Sequence, residues 1–340
     1  MTVKLRGQAT WRMLFASFKS AWWSAVVSLD FLVAAVYVAL VTTLGDLSPQ
    51  HIRDAPVEKI VLGESSAYVL SPLLANDYKS DAQQIVSPAA LVAVCACVLS
   101  LVFVALSLFF DNPRTAKSSV SARLLSLMYA AGTAVATVDV IKRYCGYWRP
   151  YFYDECDFDM NSGKCSGNAP QDANRSFPSG HAAISFVTLG HASLCLLGAA
   201  RTGVVCVGTK DSLGGGCCKR LPDLGNFKIL LSLSPAFLAA WISASRVREN
   251  DHWPADIVAG ALIGATFAAL FYFRYFPSVF DADSHLPRPA FVAFFQGQEA
   301  NGDNGLFYDF DNNSGSSGAN GPSSGASSAP LVPPNAQELC

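Results

Sequence analysis

Charge is scarce in this chain. Asp, Glu, Lys and Arg make up 15% of its 340 residues, against 51% that are hydrophobic. A soluble domain needs about a quarter of its residues charged, so this composition excludes an ordinary soluble fold. Excess positive charge is lacking too: a net charge of −2 gives no ground for a nucleic-acid partner. No cleavable signal peptide is expected, because Arg12 and Lys19 interrupt the early apolar residues. The terminal Glu338-Leu339-Cys340 does not fit a prenylation box, which needs its cysteine fourth from the end.

What the chain has instead is apolar residues in blocks, near Ala25–Leu44, Ala89–Phe110, Leu124–Ile141, Ser179–Ala200, Ile229–Ser245 and Ala255–Phe273. Blocks of about 20 residues match the thickness of a bilayer, and they read as an all-α bundle of six transmembrane helices. With both termini in the cytosol, 14 lysines and arginines fall on inner segments and 7 on outer ones, or 10 with the three motif bases introduced below. The positive-inside rule therefore places both ends in the cytosol. Trp22 and Trp23 then mark the inner interface, and Trp148 and Trp253 the outer one. The expected organisation is a basic arm over residues 1–22, a membrane domain over 23–276 with a motif-bearing core at 123–276, and a cytosolic tail over 277–340. From about residue 300 the tail is rich in Gly, Ser, Asn and Pro and is expected to be disordered.

Three polar stretches fall at the outer ends of these blocks. Arg175-Ser-Phe-Pro-Ser-Gly-His181 sits where a polar loop turns into an apolar run, so Ser179 and Gly180 can present free backbone N–H groups to a phosphate at a helix start. His181 follows on the first turn, placed to give a proton to a bound oxygen. Lys142-Arg-Tyr-Cys-Gly-Tyr-Trp-Arg149-Pro150 and Ser245-Arg246-Val-Arg-Glu-Asn-Asp-His252-Trp-Pro-Ala-Asp256 flank it. Lys142, Arg149 and Arg246 carry the positive charge that a transferring phosphoryl group requires. Asp256, four residues after His252, is spaced to reach back to the imidazole. Spacing alone shows only that these residue types suffice for phosphoryl transfer.

As patterns, the three stretches are K-x6-R-P, P-S-G-H and S-R-x5-H-x3-D. In that order they resemble the signature of the type 2 phosphatidic acid phosphatase superfamily, over roughly Arg123 to Phe276. The resemblance implies a metal-independent lipid phosphate phosphatase, with no cofactor, working through a phosphohistidine. In it His252 is the nucleophile, Asp256 orients it, and His181 is the general acid and then the base. Lys142, Arg149, Ser179, Gly180 and Arg246 bind the phosphate. The implied partners are membrane lipids and a lipid phosphate: phosphatidate, lysophosphatidate, diacylglycerol pyrophosphate or a sphingoid-base phosphate. A polyisoprenyl pyrophosphate phosphatase and a non-catalytic lipid-binding scaffold are the alternatives. The site would face the lumen of the endoplasmic reticulum or a vacuole, or the cell exterior.

The remaining features read as follows. Cys156 and Cys165 lie on the oxidising side in a loop poor in apolar residues and are expected to form a disulfide, with Cys145 as the competing partner. The sequon at Asn174 lies too near the membrane to be modified. Asp139, one turn before Lys142, is expected to pair with it. His191 lies about 280° round the helix from His181 and reads as a bundle histidine. Cys217 and Cys218, beside basic residues, are candidates for palmitoylation or plain cytosolic thiols. The polar segment 45–86 is placed to cover the outer mouth of the bundle, with no chemistry assigned to it.

Overall fold

The structure is a computed structural model and describes residues 29–62, 65–111, 116–166, 170–200, 207–209, 217–219, 225–281, 283–289 and 291–292. All of these fall in the compact unit Met1–Glu299. The arm at residues 1–22, the tail beyond residue 300 and the side chains of Cys217 and Cys218 lie outside the described residues.

The described chain is mostly helical. In order it forms α1 (Leu29–Leu47), β1 (Val57–Leu62), β2 (Ser65–Leu70), α2 (Pro88–Phe109), α3 (Ala116–Cys145), α4 (Phe152–Glu155), β3 (Phe158–Asp159), β4 (Lys164–Cys165), α5 (Pro170–Ala173), α6 (Gly180–Ala200), β5 (Val207–Thr209), β6 (Cys217–Lys219), α7 (Gly225–Ser232), α8 (Ser234–Arg248) and α9 (Pro254–Tyr275). Five helices, α1, α2, α3, α6 and α9, are long and apolar enough to cross a membrane. A sixth is counted if α7 and α8, bent by 40°, form one span. The bend has a local cause: Pro235, in the first turn of α8, cannot supply an N–H to the preceding turn.

Among the described residues three two-stranded antiparallel hairpins, β1–β2, β3–β4 and β5–β6, accompany the helices. Val57 pairs with Leu70 and Leu62 with Ser65 in the first, which lies in the polar segment read as a plain loop. Alternation over only six residues is too short a signal to separate from irregular polar chain.

α6 is the central helix and packs against α9, α8, α3 and α2, while α1 lies on α3. The seam between α6 and α9 is built on small residues. A Cβ at Gly260 would stand 2.3 Å from the Ser179 carbonyl oxygen, so only glycine admits this approach. Outward faces are apolar: Leu32, Val36, Leu40, Phe237, Trp241 and Leu262 are all exposed, the inverse of a soluble bundle.

Two polar side chains buried within the bundle, Arg123 and His191, are paired. Arg123 on α3 binds Asp111, just past α2, with two hydrogen bonds of 2.7 Å. His191 lies between Ser126 Oγ at 2.7 Å and Cys195 Sγ at 3.7 Å, in line with its reading as a bundle histidine. Asp139 departs from expectation. Among the described residues no ion pair joins it to Lys142, whose Nζ instead donates to the Arg175 carbonyl at 3.2 Å. Its Cβ faces α1, 3.3 Å from where a Cβ at Gly45 would stand.

Candidate active site

Three turns bring the polar side chains together at one end of the bundle. The first ends α3. Gly146 takes the left-handed conformation (φ 53°) and its N–H bonds the Lys142 carbonyl at 3.2 Å, a helix stop that glycine favours. The chain then runs to Arg149, whose N–H donates to the Ala173 carbonyl at 2.8 Å.

The second turn starts α6. Ser179 Oγ accepts from the Ala182 N–H at 3.4 Å and caps the helix. The Ser179 N–H donates to the Asp256 carbonyl at 3.0 Å. This corrects the expectation that Ser179 presents a free N–H: that donor is used to hold α6 to α9. Among the described residues no backbone hydrogen bond uses the Gly180 N–H, and Lys142 Nζ would lie 3.9 Å from a Cβ placed on Gly180. His181 follows, its Nε2 enclosed and without a hydrogen-bond partner among the described residues.

The third turn joins α8 to α9. Asn250 is left-handed (φ 60°), a conformation asparagine tolerates, and it swings Asp251 and His252 back over the helix end. Pro254 opens α9 and the Asp256 carboxylate accepts from the Trp253 N–H at 2.9 Å, half of a capping box. The same Asp256 Oδ2 accepts from Ser176 Oγ at 2.5 Å and lies 3.5 Å from His252 Nδ1. The other ring nitrogen, Nε2, lies 3.6 Å from Asp251 Oδ2. Trp253 Nε1 donates to the Trp148 carbonyl at 2.9 Å and ties the first turn to the third.

Each base has its own supports. Arg149 donates to the carbonyls of Asp172 (3.1 Å) and Asp251 (3.4 Å), and to Asp251 Oδ1 at 2.6 Å. Arg246, fully buried, donates to Glu249, to Gln84 Oε1 at 3.0 Å and to Ser245 Oγ at 3.3 Å. His181 is within electrostatic reach of Arg246, Asp251, His252 and Lys142, so the expected residues converge on one place.

Burial and then the opposing charges settle the electrostatics. Burial lowers the His252 pKa to about 4 against support from Asp256, and Arg149 lowers it further; the imidazole is neutral near neutral pH. Burial works against the charge of Asp251, but Arg149, His252, the Tyr151 hydroxyl and Arg246 outweigh it and hold that carboxyl well below the usual range.

Five residues of this site went unrecognised in the sequence: Gln84, Tyr151, Ser176, Glu249 and Asp251. Glu249 and Asp251 stand among the five variable positions between Arg246 and His252, where a pattern assigns nothing. Gln84 comes from segment 45–86, which also sends the Ile85 N–H to Glu249 and Gln50 to Arg175. That segment therefore supports a site base.

Residues 123–280 match the family model described as PAP2 superfamily. Over these residues the chain is similar to that superfamily. The chain is 30% identical over 183 residues to lipid phosphate phosphatase 2 of Arabidopsis thaliana, which covers 51% of this chain and 56% of the relative. It is 29% identical over 166 residues to a probable diacylglycerol pyrophosphate phosphatase 1 of Schizosaccharomyces pombe, covering 45% and 53%. Lipid phosphate phosphatase 1 of Arabidopsis thaliana is 29% identical over 194 residues, covering 54% of each chain. The chain thus spans about half the length of the curated relatives it matches. No solved structure matches it.

The structure joins Cys156 to Cys165 by a disulfide and leaves Cys145 free. One premise behind that expectation is corrected: the loop is not poor in apolar contacts. Phe152, Tyr153, Cys156 and Ala173 bury themselves with Leu74, and Trp148 and Trp253 pack against them. Asn174 of the sequon is buried, with its side chain accepting from the Arg53 N–H at 3.3 Å.

Proposed function

We propose that the protein is a six-span membrane phosphatase that removes phosphate from lipid phosphate monoesters or pyrophosphates by way of a phosphohistidine. One observation carries this reading. Two histidines from different elements and three bases from two others meet at one end of the bundle, and one histidine is flanked by carboxylates at both ring nitrogens.

In this mechanism Lys142, Arg149, Arg246 and the Gly180 N–H take the phosphate oxygens, and Ser179 holds the start of α6 in place. His252, neutral when unprotonated, attacks phosphorus through Nε2 while Asp256 stabilises the charge that builds on the ring from the Nδ1 side. The 3.5 Å separation at Nδ1 is within the range that tightens when substrate binds. His181 protonates the leaving oxygen, then takes a proton from the water that attacks the phosphorus–nitrogen bond, releasing inorganic phosphate and restoring His252. The names of the relatives support a lipid phosphate or diacylglycerol pyrophosphate as substrate.

The charge distribution supports a site on the lumenal or extracellular face with both termini cytosolic. An epitope in the loop 151–177 is then shielded from antibody when only the plasma membrane is opened, if the protein is in an internal membrane. It is labelled on intact cells if the protein is at the surface. Labelling of that loop from the cytosol refutes the orientation. The reaction itself is tested by phosphate release from purified protein in detergent micelles, across lipid phosphates, lipid pyrophosphates and water-soluble monoesters. Turnover of lipid substrates that is lost in His252→Ala supports the reading. No turnover of any of the three classes rejects it in favour of a lipid-binding scaffold.

A further inference from the structure

The carboxylate of Asp251 stands among groups assigned here to the substrate phosphate. Its Oδ1 accepts from Arg149 Nη1 at 2.6 Å and from the Tyr151 hydroxyl at 3.0 Å. Its Oδ2 lies 3.8 Å from Arg246 Nη1 and 3.6 Å from His252 Nε2, the nitrogen that must approach phosphorus. A phosphoryl group in line with that nitrogen needs the same space and the same donors. Coulomb repulsion between a carboxylate and a phosphate dianion in so enclosed a place forbids both from keeping it.

The neighbouring Glu249 behaves differently. Its two oxygens are taken by Arg246 and by the Ile85 N–H, a backbone donor away from any ligand, so it is a fixed counterion. The arginines do not need Asp251's side chain to stay in position. Arg149 remains held by the carbonyls of Asp172 and Asp251, and Arg246 by Glu249, Gln84 and Ser245. The side chain of Asp251 is thus exchangeable, while the cradle beneath it is built independently.

We propose that Asp251 is an internal occupant of the phosphate seat: its carboxylate satisfies the cradle in the empty protein, yields to the substrate phosphate, and returns as inorganic phosphate leaves. This rests on the phosphatase reading for the identity of the ligand. The role is one of competition. Asp251 weakens the binding of every phosphate-like anion by the free energy of leaving its own donors, and so speeds release of the product.

The test is calorimetric binding of inorganic phosphate to the purified full-length protein in detergent, a measurement that needs no turnover. Asp251→Asn should bind phosphate about tenfold more tightly or better, since charge-assisted hydrogen bonds no longer have to be broken first. In turnover assays the same variant should show stronger product inhibition, with KM and kcat falling together. A merely structural role predicts the opposite sign, because loosened arginines hold anions less well. Unchanged or weaker phosphate binding, or none in either protein, overturns the proposal. If Asp251→Asn does not fold, Tyr151→Phe decides. It removes one tether of the carboxylate, so it should tighten phosphate binding about threefold, the worth of one modest hydrogen bond, and weaker binding overturns the idea. Tighter phosphate binding in a protein that hydrolyses no lipid phosphate would leave this competition standing and reject the proposed reaction.

Discussion

Asp256 Oδ2 stands 3.5 Å from His252 Nδ1 while also accepting hydrogen bonds from Ser176 Oγ and the Trp253 N–H. The carboxylate is therefore held in place by two donors that are not the histidine. Asp256→Asn keeps the shape but loses the charge that supports an imidazolium, and should lower kcat by two to four orders of magnitude, about the range for tautomer and charge loss at such a pair.

The pH dependence follows from the same pair. Burial depresses the His252 pKa to about 4, so the imidazole keeps the neutral form that the proposed attack requires above that pH and loses it as pH falls through it. The acid limb of kcat/KM, corrected for ionisation of the substrate, should lie near pH 4 and move lower in Asp256→Asn, whose side chain no longer supports the proton. The linkage has the matching sign. Between the ordinary histidine pKa of about 6.5 and the folded value, the unfolded chain binds more protons, so acidification through that window destabilises the fold. An acid limb near 6.5 that Asp256→Asn leaves in place would assign it to another group.

The two histidines should separate by leaving group. His252→Ala should abolish both turnover and any acid-labile phosphoenzyme. His181→Ala should slow poor leaving groups far more than activated ones, because only the former need a proton in the transition state. Rapid-quench measurement with an alkyl and a nitrophenyl phosphate decides this. Equal losses on both would remove the support for His181 as the acid.

Neutralisation of the phosphate is assigned to Lys142, Arg149 and Arg246, so hydrolysis should persist in excess EDTA. Vanadate, which takes up a trigonal-bipyramidal geometry in the same cradle, should inhibit it. Activity restored only by added magnesium would show that the three bases do not carry the charge on their own.

The motifs were legible because catalysis fixes residue types at fixed spacings. Lys142, Arg149, His181, Arg246, His252 and Asp256 all meet at one end of the bundle. Their counterions were not legible: Glu249 and Asp251 occupy variable positions whose meaning lies in three dimensions. Lys142 shows the same limit, since its partner is the carbonyl of Arg175 rather than the acid one turn away. The spans were legible from hydrophobic length, except that Pro235 breaks the stretch before Arg248 into two helices. The use of the Ser179 N–H could not be read, because its acceptor is a backbone carbonyl 77 positions on.

The disulfide should stabilise the rim rather than create it. Closing a short loop removes roughly 2–3 kcal/mol of chain entropy from the unfolded state. Phe152, Tyr153, Leu74 and Ala173 hold the same region by burial. Cys156→Ser with Cys165→Ser should therefore lower the thermal midpoint while most activity is retained at low temperature. Loss of all activity with the fold intact would mean that the bond itself sets the distance between Arg149 and His181.

Gly260 tests how the seat is held together. A methyl group there would meet the Ser179 carbonyl oxygen at 2.3 Å and the Ala182 Cβ at 3.1 Å, both parts of the first turn of α6. A backbone oxygen in a packed helix cannot step aside, so α9 must move away from α6. The movement strikes the hydrogen bond from the Ser179 N–H to the Asp256 carbonyl, and with it the placement of Asp256 beside His252 and of Gly180 beside Lys142. Gly260→Ala should thus reduce kcat/KM at least about 100-fold, the usual result of displacing reacting groups by an ångström. The protein should still insert and purify, since the remaining packing of α6 on α2, α3 and α8 is untouched. Activity should be measured beside Gly190→Ala on α6, where no atom lies within 4 Å of the added carbon. If both substitutions are tolerated alike, close approach of α6 and α9 is not what aligns the site.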